Sequence, residues 1–136
     1  MIEVLEYIFK KNKELSKRFP KWKILSFIDR HQDRIVSIYK KDKIVGFSIY
    51  LKLTDETLYK VFCRDFEFKN FEAVDSALKE NGRNIHFIML VSDGIGIIRK
   101  GLRNIIKNEN PETISWFNRE INKLFFYDLR RGGING

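Results

Sequence analysis

Hydrophobic positions along the chain change period several times, and each change marks an element. Val4, Leu5, Ile8, Phe9, Leu15 and Phe19 recur near a helical period until Pro20, which predicts one amphipathic helix over residues 2–18 with its lysines toward water. From Arg34 the period changes, and residues 35–39, the polar turn 40–43 and residues 44–53 read as a β-hairpin. In its second strand Val45, Phe47, Ile49, Leu51 and Leu53 share one face and Gly46, Ser48, Tyr50 and Lys52 the other, the alternation of a sheet packed on one side. Residues 57–66 carry Leu58, Tyr59, Val61 and Phe62 and predict another strand. Asn70 then suits an N-cap for a helix over 71–81 that stops at Gly82, with Phe71, Val74, Ala77 and Leu78 on one face.

The stretch 84–117 says most. An apolar run, Ile85-His86-Phe87-Ile88-Met89-Leu90-Val91, predicts a central strand covered on both faces. It breaks at Ser92-Asp93-Gly94-Ile95-Gly96 and opens into a helix over 94–108, which ends before Pro111; a hairpin of 113–117 and 123–129 closes the pattern. A strand that delivers a glycine turn to a helix N-terminus presents free backbone N–H groups and the positive end of the helix dipole at one point, which suits a phosphate. Ile95, Ile98, Leu102, Ile105 and Ile106 form the expected buried stripe of that helix; Arg99, Arg103 and Lys107 form a basic ridge beside it, joined by Lys100, that can hold a second phosphate. A dinucleotide fingerprint does not fit, because its third glycine would fall at Arg99. Asp93 would repel a phosphate unless it is spent capping the helix. The element order holds a single βαβ crossover, so the expected fold class is α+β, a mixed sheet flanked by helices.

Composition narrows the partners without choosing one. At 136 residues and 43% hydrophobic content the chain suits a single domain over 1–131, with 132–136 a frayed tail. A formal charge of +8 favours anionic partners, whether nucleic acid, acidic protein surfaces, membrane headgroups or a phosphorylated cofactor. The single cysteine, Cys63, excludes an intramolecular disulfide and suits a reducing compartment, so a cytoplasmic location is expected. Residues 1–13 mix Glu3 and Glu6 into their apolar positions, and no segment reaches the length of a spanning helix, so neither export nor membrane anchoring is expected. Phe62, Arg64, Phe66, Phe68, Lys69 and Phe71 interleave aromatics with basic residues in the manner of a nucleic-acid surface, though no helix-turn-helix, zinc or RNP-type pattern accompanies them. No G-x-S-x-G occurs, and His31 and His86 have no partner at metal spacing, so no metal site is expected.

The order of central strand, Gly-x-Gly turn, helix and further strand resembles the GNAT superfamily of acyl-CoA N-acyltransferases over residues 34–129. The phrase Lys43-Ile44-Val45-Gly46-Phe47 is similar to that family's second or third strand. The resemblance implies acetyl transfer from acetyl-CoA to an amine acceptor by direct attack on the thioester. It implies that the turn Gly94-Ile95-Gly96 binds the pyrophosphate of coenzyme A through its N–H groups, and that the strand through Met89, Leu90 and Val91 splays from 113–117 so that pantetheine pairs with its edge. Leu90, Val91, Gly94, Ile95, Gly96 and Ile97, with Arg99 and Arg103, are then the cofactor contacts. A base and an acid are needed; His86 is the candidate base and Tyr127 the candidate acid, Ser115 can hydrogen-bond the thioester and Trp116 can wall the acceptor pocket. Departures from the family pattern are Val91 where a Gln or Arg is usual, a shorter loop before Gly94, and the turn 118–122 in place of a helix that often supplies a tyrosine. The alternative is a non-catalytic protein of the same fold that binds nucleic acid or an acidic protein through Arg99, Lys100, Arg103 and Lys107; a wider one is a small interaction protein whose turn has no ligand.

Overall fold

The apolar run after Asn84 lies in the middle of a sheet, buried over residues 84–87 but half-buried over 88–92, so the expected cover on both faces holds only for its first part. The computed structural model describes residues 2–63, 71–118 and 123–131. Its helices are α1 (Ile2–Lys11), α2 (Lys13–Arg18), α3 (Lys21–Arg30), α4 (Asp55–Phe62), α5 (Phe71–Leu78) and α6 (Ile95–Glu109). Its strands are β1 (Ile35–Lys40), β2 (Lys43–Leu53), β3 (Asn84–Ser92), β4 (Thr113–Asn118) and β5 (Lys123–Asp128), with short 3₁₀ turns at Gln32–Arg34 and Leu129–Arg131. The five strands form one sheet in the order β1-β2-β3-β4-β5. β1 and β2 are antiparallel, β3 and β4 parallel, β4 and β5 antiparallel. This is an α+β mixed sheet with β3 central and β3–α6–β4 a parallel crossover. By packing, the chain divides into two compact units, Met1–Ile49 with Met89–Leu102, and Tyr50–Ile88 with Arg103–Gly136.

In the first unit, Val4, Leu5 and Ile8 of α1 and Ile24, Phe27 and Ile28 of α3 lie at helical spacing and are buried, as are Phe47 and Ile49 of β2. The single helix expected over 2–18 is two helices. Asn12, at φ −136° and ψ 85°, leaves the helical region between them; the apolar spacing stays in phase across that break and so conceals it. Pro20, expected only to end a helix, also begins one, because its carbonyl accepts from Lys23 N at 3.1 Å and Ile24 N at 3.5 Å. The hairpin matches expectation: Lys41 and Asp42, with φ of 51° and 65°, have the paired left-handed values of a two-residue turn. β2, however, is buried on both faces over 46–51 rather than on one. α6 supplies the second cover. A Cβ on Gly46 would lie 3.1 Å from Ile97 Cγ2, and one on Gly101 3.0 Å from Ile38 Cδ1, so the two glycines let helix and hairpin approach closely.

In the second unit the strand expected over 57–66 is helix α4 as far as Phe62, and 64–66 lie outside the described residues. Thr54 accepts from Thr57 N at 3.3 Å as the N-cap, and Asp55 and Glu56 fill the acidic first turn. That start signal outweighs the strand preference of Tyr59, Val61 and Phe62. α5 ends at Leu78, short of the expected 81, and the suggested cap Asn70 lies outside the described residues, as do 119–122 and the tail 132–136. Gly82 donates to the Lys52 carbonyl at 2.8 Å, and a Cβ there would overlap the Leu53 carbonyl. Asn84, buried at the start of β3, donates to the Leu53 carbonyl at 3.0 Å and to Asp55 at 2.8 Å and accepts from Thr113 at 2.7 Å, so its side chain is satisfied. Among the described residues no helix is long and apolar enough to cross a membrane.

Replacing Gly101 by Leu drives a side chain into Ile38 and should lower the unfolding free energy in urea by about 1–3 kcal/mol. Gly94→Ala, whose new methyl meets nothing within 4 Å, should change it by less than about 0.5 kcal/mol.

Candidate anion-binding turn

At the end of β3 the backbone is organised by one hydroxyl. Ser92 Oγ accepts from Gly94 N at 3.3 Å and donates to the Gly94 carbonyl at 2.8 Å. The same carbonyl accepts from Ile97 N at 3.2 Å and Ile98 N at 3.3 Å, so Gly94 stands as the cap residue immediately before α6. Among the described residues the amides of Ile95 and Gly96 have no protein acceptor, and they sit at the positive end of a 15-residue helix. A Cβ on Gly94 or Gly96 would meet no atom within 4 Å, and neither glycine has a left-handed backbone. Neither packing nor conformation therefore demands glycine here, and the space above the turn is open. Ile95, expected in the buried stripe of α6, is instead 71% exposed at this opening, while Leu102 and Ile105 are buried as expected. The helix phase turns position 95 outward one turn before the sheet covers it.

Asp93 does not cap the helix. Its carboxylate lies 3.1 Å from Lys11 Nζ and 2.9 Å from the Tyr7 hydroxyl, and its backbone N–H donates to the Val45 carbonyl at 2.9 Å. The Tyr7 hydroxyl also lies 2.9 Å from that Val45 carbonyl, so its single proton is shared between two acceptors. Hydrogen bonds from Lys11 and Tyr7 hold the Asp93 carboxyl below the usual aspartate range. Burial, reinforced by Asp93, holds the Tyr7 phenol above its usual range. The negative charge beside the turn is thus matched within the first unit. Tyr7 and Lys11 carry no motif and lie more than 80 positions from Asp93; their only sequence sign is a tyrosine on the apolar face of α1.

Leu90 and Val91 are half-buried on β3, as is Ile97 on α6, and Arg99, Lys100, Arg103 and Lys107 are exposed along α6. The register of β3 with β4 runs from Asn84 opposite Thr113 to Phe87 opposite Trp116, and β3 continues to Ser92. In the second unit the fold brings His86 and Ser115 together: they are opposite in register, Nδ1 to Oγ is 2.8 Å, and they are 4% and 0% exposed. Burial lowers the His86 pKa to about 4, so the imidazole is neutral at pH 7. Tyr127 on β5 is 37% exposed and its ring stacks on Trp116, centroids 5.6 Å apart. Of the aromatic and basic series 62–71, Phe62 meets Phe126 edge-on at 5.2 Å, and 64–70 lie outside the described residues. Among the described residues no cluster of three or more His, Cys, Asp or Glu is placed to hold a metal ion.

No protein-family model matches the chain, and no curated protein matches it by sequence. Its fold is similar to that of the loading GNATL domain of CurA from Lyngbya majuscula, with a TM-score of 0.50 and 13% sequence identity over 84% of this chain. The match spans 61% of that domain's chain. At this identity the likeness establishes a GNAT-like fold and nothing finer.

Because folded His86 stays neutral down to about pH 4 while its unfolded value is 6.5, the unfolded chain takes up the proton first on acidification. The stability this contributes is complete above pH 6.5 and falls as the pH drops toward 4. Urea unfolding at pH 7 and pH 5 should show about 2 kcal/mol lost from this group, a loss that His86→Gln removes.

Proposed function

We propose that the chain is an acyl-CoA-dependent N-acyltransferase whose cofactor diphosphate is bound at the start of α6. The reading is carried by one observation: the Ile95 and Gly96 amides have no protein acceptor and face open space on a GNAT-like fold. The residues present suit a diphosphate. Glycine at 94 and 96 lets phosphate oxygens reach the backbone, the helix dipole favours their charge, and Asp93, the carboxylate in the turn, is already matched by Lys11. Ile97 and Arg99 follow on α6, with Arg103 one turn further; Leu90 and Val91 offer backbone groups beyond the last β3–β4 register pair.

Bound acetyl-CoA would supply an activated thioester, whose C–S bond breaks as the amine forms a C–N bond. The chain must take a proton from the amine and return one to the leaving sulfur. Tyr127, exposed on β5, is the acid in this reading. His86 is neutral and therefore in the form of a base, but a pKa near 4 makes it a weak one, and its Nδ1 is engaged with Ser115. That engagement supports a second reading, a non-catalytic protein of the same fold that binds an anionic partner through Arg99, Lys100, Arg103 and Lys107.

Titration calorimetry with acetyl-CoA should give saturable heat. Gly96→Leu should abolish it without lowering stability, since leucine is favoured over glycine in a helix by roughly 0.5–1 kcal/mol. Absence of heat at millimolar acetyl-CoA, or equal binding by Gly96→Leu, removes the cofactor reading. Acetyl-CoA binding without thiol release across a panel of amines selects the non-catalytic one.

A further inference from the structure

The first unit contains a second feature suited to anions, separate from the turn. An open concavity of about 390 Å³ is bordered by Tyr7 and Lys10 of α1, by Lys40, Lys41 and Lys43 of the β1–β2 hairpin, and by Asp93. Gly94, Ile95 and Gly96 are not among its walls. We propose that this concavity binds a small molecule carrying a polyphosphate group, held by Lys10, Lys40, Lys41 and Lys43.

Four exposed lysines from two elements line one recess, and a concentration of positive charge on one small surface favours an anion there. Among the described residues Lys40, Lys41 and Lys43 carry no ion pair, whereas Lys11, Lys52 and Lys60 are each paired with a carboxylate. Asp93 cannot discharge the recess, because it is already engaged by Lys11 and Tyr7, with Lys10 adding only a weaker attraction. The turn itself points the same way. Lys41 and Asp42 occupy left-handed positions where Asn and Gly fit best, so a lysine stands at a site that disfavours its backbone. The size lies in the range of small-molecule sites, and the recessed shape fits a compact polyanion better than an extended strand, which needs a long groove with stacking rings.

The test is calorimetry with inorganic tripolyphosphate at low salt. Wild-type protein should bind it saturably. Lys41→Asn combined with Lys43→Gln should weaken binding by about tenfold or more with no loss of stability, since Asn suits the left-handed turn. Lys10→Gln, on a different element, should weaken it as well. In the Gly96→Leu background, where the turn is closed to anions, tripolyphosphate should still bind and the lysine substitutions should still weaken it, which separates this site from the acyl-CoA site. No heat at millimolar tripolyphosphate, undiminished binding by both lysine variants, or a single-stranded oligonucleotide that binds and is not displaced by tripolyphosphate each overturns the proposal.

Discussion

A single carboxylate ties together three parts of the first unit. Asp93 receives a hydrogen bond from Tyr7 and an ion pair from Lys11, both on α1, while its own N–H and the Tyr7 hydroxyl converge on the Val45 carbonyl of β2. The start of α6 is thereby anchored one residue before the glycines. This matters because glycines alone make a turn mobile, and free amides bind an anion well only when their direction is set beforehand. The anchor also resolves an electrostatic conflict. An unmatched carboxylate beside the positive end of a helix would compete with any incoming anion, whereas here it is spent on a lysine and a tyrosine.

Close approach on the other side of the hairpin follows from side chains that are missing. Gly46 and Gly101 leave room for Ile38 and Ile97, so the first half of α6 lies against the hairpin. The second unit uses polar groups instead. Asn84 is held by Leu53, Asp55 and Thr113, His86 by Ser115, and Glu109 at the end of α6 accepts from Tyr50 at 3.2 Å and pairs with Lys52 at 2.6 Å. Such groups are costly to bury unless every one is satisfied, and paired they fix strand register more sharply than apolar contacts do.

The legible parts of the fold were those in which local physics and tertiary packing agree. The hairpin carries its own turn at 40–43, and the run 85–91 reads as a strand, although its burial fades after Phe87. The glycine turn and α6 follow from residues within ten positions of each other. Legibility failed where one residue serves two roles or where capping competes with propensity. Pro20 ends one helix and begins the next, and Tyr59, Val61 and Phe62 prefer a strand until Thr54 caps a helix over them. Ile95 shows a subtler failure, since periodicity gives the phase of a helix but not where its cover begins. The site divides in the same way. Free amides at 95 and 96 follow from strand, glycine and helix in succession, but the Tyr7–Asp93–Lys11 clamp joins residues 86 positions apart in its tyrosine contact and leaves no local trace.

Binding and turnover make different demands, and the two units meet them unequally. To bind a diphosphate, a protein needs oriented donors, an open approach and no uncompensated negative charge, all of which the first unit has around Gly94–Gly96. To turn over an amine and a thioester it must also carry protons, and a proton carrier works best with its pKa near the working pH and a path to the reacting atoms. His86 lacks both conditions, since burial moves its pKa to about 4 and encloses it with Ser115. Even an amine that arrives deprotonated sheds a proton as its C–N bond forms, and the departing sulfur must gain one, so a proton still has to pass from nitrogen to sulfur. On the proposed reading, turnover therefore needs a proton carrier other than His86, whereas binding at the turn needs none.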